Sequence, residues 1–364
     1  MQNQIIDLSK QLCDTMIRRF PNAKDLPPKH LFHYHQGVFL SGMLKTWSLC
    51  KDETYFHYAK AWVDSLIHPD GTIDRYDSTR LDDIQPGILL FPLYRVTGDP
   101  RYKKALETLI GLLKNWKKNG FGGFWHKDCH PDQMWLDSLY MAGPIQAEYA
   151  AFSGESGFLD EAARQALIMY AHMVKKENGL MYHAWDASKK EDWADKESGL
   201  SPMVWGRAQG WYVVAILDIL EFMSPDHPDY APLLEIERTL LTNIMKYRDE
   251  KTKMWYQVPD EGTRPGNWIE TSCSCLFTAA LAKAIRMGIM NKCHTAYVGE
   301  CCKALCDSLK RKDGDVVVDN VCIGTGVCDY QGYIERPTCE NDLHGVGAFL
   351  LMSTETARLI GAAN

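Results

Sequence analysis

GDPRYKKALETLIGLLKNWKKNGFGGFWHKDCHPDQMWLDSLYMAGPI, residues 98–145, holds one complete unit of a pattern that recurs along the chain. Asp99 reads as a helix N-cap with Pro100 at the first helical position, and apolar residues then follow at i, i+3, i+4 spacing, as on the buried stripe of a surface helix. An Asn-Gly turn at 119–120 stops that helix and leads into an aromatic stretch. The unit closes with a second helix, WLDSLYMAGPI, rich in small residues.

The turn returns as DGTIDRY (70–76), NGLMYHAW (178–185) and DGDVVVD (313–319), and KMWYQVP (253–259) takes the same place without the glycine. The small-residue helix returns as HYHQGVFLSGM, DDIQPGILLFPLY, WLDSLYMAGPI, GRAQGWYVVAIL, ETSCSCLFTAAL and NDLHGVGAFLL. Two helices per unit and about six units predict a repeat architecture. Helices that carry Gly, Ala and Ser where others carry Lys and Glu are buried on more than one side. The expected fold is therefore all-α, a closed (α/α)6 barrel, with residues 1–364 as a single domain and short extended segments at the mouth.

Composition narrows the function. A formal net charge of −7 with no dense Lys/Arg block argues against nucleic-acid or anionic-membrane partners. No 18-residue apolar run predicts a membrane span. The start, MQNQIIDLSKQLCDTMIRRF, reads as an amphipathic helix and not as an export signal, so a cytoplasmic location with reduced thiols is expected. The 12 cysteines contain no C-x-x-C pair, against a zinc cluster. His33 and His35 could hold a metal only if a carboxylate faced them, and hydrogen-bonding pocket histidines are the expectation. The chain has no nucleophile elbow, phosphate loop or dinucleotide fingerprint, so neither metal nor cofactor is expected.

In a closed barrel the six inner helices start at one end. That gathers His33, Tyr34, Asp82, Asp83, His126, Asp137, His183, Trp205, Arg207, Trp211, Glu270, Asp342 and His344 around one concave pocket, the usual form of a small-molecule site. Helix N-termini suit an anionic group there. Asp137 stands among Trp135, Leu136, Tyr140 and Met141, whose desolvation should raise its pKa toward that of a general acid. Either Asp82 or Asp83 can assist it across the mouth, as carboxylate pairs do in sugar-cleaving enzymes. His126, His183 and His344 offer hydrogen bonds. Arg207, between Trp205 and Trp211, suits a carboxylate, with those tryptophans and Trp135 as platforms for a sugar ring.

At these residues the chain resembles the unsaturated rhamnogalacturonyl hydrolases of glycoside hydrolase family 105, through HYHQG, LDDIQPG, TGDPRY, GGFWHK, QMWLDSLYM, WGRAQGWY and ETSCS in order. The resemblance implies an (α/α)6 barrel that removes a terminal 4,5-unsaturated galacturonic acid from lyase-generated rhamnogalacturonan (pectin) oligosaccharides, without a metal. It implies Asp137 as the general acid and base that protonates the C4=C5 vinyl ether while water adds at C5, with Asp82 assisting. It further implies substrate contacts from Tyr34, His126, Lys127, Trp135, His183, Trp205, Arg207 and Trp211. The chain departs from the family pattern at Ala208 and Gln209 within WGRAQGW and at the cysteines of ETSCSC, away from the proton donor. Two rivals stand beside this reading: an unsaturated glucuronyl hydrolase acting on glycosaminoglycan disaccharides, and a non-catalytic helical-repeat protein that only binds carbohydrate. The oligomeric state is left open.

Overall fold

Periodicity of 3.6 with two kinds of helix gives two concentric layers in the computed structural model, which describes residues 2–361. The outer layer comprises α1 (Gln2–Arg19), α3 (Glu53–Asp64), α5 (Pro100–Lys114), α7 (Gly157–Met173), α9 (Tyr230–Lys246) and α11 (Thr295–Asp307). The inner ring comprises α2 (Tyr34–Cys50), α4 (Leu90–Thr97), α6 (Asp137–Ser153), α8 (Gly206–Leu220), α10 (Thr271–Arg286) and α13 (Leu343–Gly361), and a short α12 (Tyr330–Ile334) lies before α13. Successive members of the ring pack on one another, the 3-10 turn Gln85–Leu89 ahead of α4 standing between α2 and α6, and α13 returns to pack along α2. The ring is closed, as the repeat predicts.

Burial follows the layer. On α5 only Tyr102, Ala105, Leu106, Leu109, Ile110 and Leu113 are buried, a single stripe capped at Asp99, whose side chain accepts from the Arg101 amide. On α8 every residue from Gly206 to Leu217 is buried, Arg207 and Gln209 among mostly apolar side chains, as befits a helix covered on all sides. The closure of the ring is tight: a Cβ on Gly347 would stand 2.6 Å from the backbone of Val38. At the end away from the mouth, the buried Lys283 ammonium of α10 pairs with Asp218 and Glu221.

One inner helix differs from expectation. DDIQPGILLFPLY begins as two 3-10 turns, Leu81–Asp83 and Gln85–Leu89, and becomes α-helical only at Leu90. Pro86 has no N–H to donate, so the regular ladder cannot start before it. The aromatic turns form mostly isolated antiparallel bridges, such as Lys118 with Phe124 and Val174 with Met181. In the second turn the left-handed residue is Gly122 (φ +85°), and in the glycine-free unit Lys253 takes that conformation (φ 59°). Three two-stranded ribbons accompany the turns. They are β1 (Gln133–Trp135) with β2 (Ala184–Asp186), β3 (Lys310–Lys312) with β4 (Asp315–Val317), and β5 (Val321–Cys322) with β6 (Thr338–Cys339). No helix among the described residues is long and apolar enough to cross a membrane.

Candidate active site

The N-terminal ends of the inner helices open into a cleft of about 350 Å³, in the range of small-molecule sites. Tyr34, Asp82, His126, Lys127, Trp135, Asp137, Trp205 and Arg207, eight of the residues singled out in the sequence, line it. They come from segments more than 170 residues apart and meet because the ring closes.

Asp137 is the first residue of α6. The β1–β2 ribbon sets its neighbour: Trp135 pairs with Ala184, and the Leu136 amide donates to the His183 carbonyl at 3.0 Å. His183 is thereby fixed behind Asp137, its Nε2 3.2 Å from Asp137 Oδ2. Its Nδ1 lies 2.6 Å from the hydroxyl of Tyr333, a residue of α12. Burial pushes the Tyr333 phenol far up, so it stays protonated and donates to Nδ1. The tautomer follows: His183 carries its proton on Nε2 and donates to the Asp137 carboxylate.

This overturns one expectation. Burial does push the Asp137 carboxyl up, but the hydrogen bond from His183 and the fields of His183, His126 and, least, Arg207 outweigh it and hold the group below its ordinary value. The sequence shows the apolar neighbours at 134–141. It does not show a histidine 46 residues away aimed at the acid.

The structure separates the two neighbouring aspartates. Asp83 is fully buried, accepts from the Asp77 amide at 2.7 Å and lies 3.2 Å from Arg80 Nε. Burial raises it to about 7. Asp82 lines the cleft and pairs with Lys127 Nζ at 2.8 Å. Burial alone would raise Asp82 too, but His126, the Lys127 ammonium and His33 hold it well below the usual carboxylate range. Burial also drives His126 down to about 4, so its imidazole is neutral near pH 7. Its Nδ1 is 3.0 Å from Ser138 Oγ.

The aromatic wall follows from the same ribbons. Trp135 stacks between His126 and His130, ring centres 4.4 and 5.2 Å away, and its Nε1 donates to Gln133 at 3.0 Å. Trp205 lies under the Arg207 guanidinium at 4.4 Å, an arrangement that favours a cation over an aromatic face. Arg207 is buried, and its Nη atoms donate to the backbone carbonyls of Cys322 and Ile323. Those two donors hold the 322–326 segment in place. The rest of the guanidinium lines the cleft, where the sequence reading has it meet a carboxylate.

Other expected contacts lie elsewhere. His183 is fully buried behind Asp137 and does not line the cleft. Trp211 is buried in the wall, stacked on Tyr140 at 4.5 Å, because it stands one helical turn further along α8 than Arg207 and so away from the mouth. Glu270 caps α10 through the Cys273 amide and accepts from the Cys322 amide at 2.9 Å, a structural role. The cleft also includes Met141, the apolar neighbour of Asp137, together with His130 and the Gly324–Thr325–Gly326 segment, which the sequence did not single out. CIGTG after a β-branched run was the available signal for that segment; Tyr333, outside the repeat pattern, had none.

A ring of paired helices with a carboxylate pair and stacked aromatics at its mouth fits an enzyme that works on sugars, and the comparisons give the class directly. The model of Glycosyl Hydrolase Family 88 matches residues 8–360. A solved glycoside hydrolase from family 105 of C. acetobutylicum is 34% identical, with a TM-score of 0.91 over 96% of this chain and 98% of that one. The unsaturated rhamnogalacturonyl hydrolase YesR of Bacillus subtilis is 26% identical over 83% of this chain and 82% of its own length. Protein Atu3128 of Agrobacterium fabrum is 30% identical over 60% of this chain and 99% of its own length. The protein is a glycoside hydrolase. It belongs to Glycosyl Hydrolase Family 88, and its fold is the (α/α)6 barrel expected from the repeats.

Proposed function

We propose that this hydrolase removes the terminal 4,5-unsaturated galacturonic acid from lyase-generated rhamnogalacturonan fragments by hydrating the C4=C5 vinyl ether. The observation that carries the reading is Asp137 itself. It is a carboxyl lining the cleft, its side chain only 14% exposed, gripped on one oxygen by a histidine whose other nitrogen is fixed by a tyrosine. A proton donor to carbon needs such fixed orientation, because no exchange with water corrects its aim. The similarity to YesR over most of both chains supports the unsaturated-uronate substrate.

The steps follow the electrons. The ring oxygen pushes density through C5 onto C4, which takes the proton from Asp137. The oxocarbenium ion at C5 then takes water, and the Asp137 carboxylate receives that water's proton. The hemiketal so formed opens, expels the aglycone and leaves a keto sugar. Asp82, kept ionised by Lys127, stabilises positive charge on the ring in this scheme. Asp137 must be protonated to begin. A bound uronate displaces cleft water and brings its own negative charge, and both effects raise the Asp137 pKa from its low value in the open site.

The test is the ultraviolet absorbance of the unsaturated uronate, followed after adding the protein to lyase-generated rhamnogalacturonan disaccharide. Loss of the chromophore that vanishes with Asp137→Asn is the expected result. Faster loss on a chondroitin-derived disaccharide would move the substrate to the glucuronyl class. No loss on either substrate would refute the reaction.

A further inference from the structure

The first and last inner helices meet at the mouth through side chains outside the acid pair. His35 of α2, with Asp342 and His344 at the head of α13, brings three donor atoms within 4.8 Å of one another, the one such His/Cys/Asp/Glu group among the described residues. His344 is fully buried, and its Nε2 donates to the Cys322 carbonyl at 3.1 Å. Its Nδ1 faces Asp342 Oδ1 at 2.7 Å, with no aligned hydrogen-bond partner. On α2, His33 Nδ1 and His35 Nδ1 lie 3.0 Å apart and share one hydrogen bond. His35 Nε2 faces the same Asp342 oxygen at 3.8 Å.

Three donor atoms from the two ends of the ring thus converge within reach of a single cation. We propose that His35, Asp342 and His344 bind a divalent first-row transition ion, zinc by preference, which fastens α2 to α13 where the ring closes. Two imidazoles and a carboxylate are a common donor set for such ions. Ligands held about 2.1 Å from a tetrahedral ion stand roughly 3.3 Å apart, and the observed 2.7 and 3.8 Å bracket that separation. The other nitrogen of each imidazole is held by a hydrogen bond, His344 Nε2 to the Cys322 carbonyl and His35 Nδ1 with His33, which fixes both rings as the partners of metal-binding histidines do. The Arg207 guanidinium acts on both His35 and Asp342 from outside the group, so the donor set itself must supply the affinity for the ion. His35 lines the cleft, so the fourth position opens toward water or a substrate oxygen. The sequence alone placed no carboxylate opposite the H-x-H pair; ring closure brings Asp342 there. This inference does not depend on the reaction assigned above.

The experiment uses the full chain, stripped with a chelator and titrated with zinc by calorimetry, with elemental analysis after gel filtration and the visible spectrum of the cobalt form. One ion per chain is expected, with a cobalt spectrum lacking thiolate charge transfer and a thermal midpoint that rises with zinc. His35→Gln and Asp342→Asn, each checked for folding by circular dichroism, are expected to weaken binding by more than about 100-fold, since even outer partners of metal ligands cost about 10–100-fold. His35 is partly exposed, so its variant keeps the test open if the Asp342 variant misfolds. Absence of stoichiometric binding would overturn the proposal and leave a proton shared between His344 and Asp342. A thiolate band, or unchanged affinity in His35→Gln, would equally overturn it by placing the ion on the cysteines or elsewhere.

Discussion

Tyr333→Phe removes one oxygen atom that no substrate need touch, and its effect on turnover can be worked out in advance. The hydroxyl lies 2.6 Å from His183 Nδ1, and both side chains are fully buried. Without it, Nδ1 has no partner, and leaving a buried polar group unsatisfied costs about 1–3 kcal/mol. The phenylalanine ring keeps the stack on Trp205, so packing loss is small. The tautomer loses its anchor: His183 can move its proton to Nδ1 and turn a bare Nε2 toward Asp137. If half of that cost falls on the transition state, kcat drops by about two- to tenfold, at about 1.4 kcal/mol per decade, while KM stays near that of the parent. The assay is steady-state loss of the uronate chromophore across substrate concentration, with thermal unfolding measured in parallel. A kcat within twofold of the parent would refute the claim that Tyr333 orients the acid. A change confined to KM would make Tyr333 a substrate contact.

Asp83→Asn tests the buried carboxyl whose pKa is raised from 3.8 to about 7. A folded-state pKa above the unfolded one means the native form holds the extra proton in that window, so native stability falls as pH rises from about 4 to about 7 and levels off above. The variant is expected to flatten that slope in thermal midpoints taken across the window, and an unchanged slope counts against the assignment. Trp211→Phe is expected to lower stability by about 1–3 kcal/mol through the cavity it leaves, with KM for the uronate unaltered; a large KM rise would return Trp211 to the cleft. Lys283→Met leaves Asp218 and Glu221 without their buried cation. Because both carboxylates reach solvent, about 2 kcal/mol of destabilisation is expected in denaturant titration, and a gain in stability would show that the trio costs more in desolvation than it returns.

The barrel was legible because its signals are local and repeated. Caps such as Asp99, the glycine and asparagine turns, and the exchange of Lys/Glu for Gly/Ala between alternate helices each report on a few neighbouring residues. The inner start at residues 81–89 was misread as a regular helix because apolar spacing outweighed Pro86 in the pattern. The cleft was legible wherever a residue stands at the first turn of an inner helix, as Asp137 and Arg207 do. What the sequence hid is what side chains do to one another across the ring. Arg207 spends two donors on backbone 115 residues away, and His183 lowers the acid its apolar neighbours would raise. Trp211, on the same face of α8 as Arg207 but one turn deeper, shows the limit of placing residues by motif: closeness in WGRAQGW does not put every aromatic at the mouth.

The contact of α13 with α2 also determines how the molecule comes apart. In an open stack of repeats, the outermost units have a single neighbour, so fraying begins there and melting spreads inward in steps. Here every inner helix has two flanks covered, and opening any seam bares apolar surface on both sides of the break. Partial unfolding is therefore about equally costly wherever it starts. The whole ring should melt as one calorimetric unit, with amide protection along the six inner helices approaching a single common value.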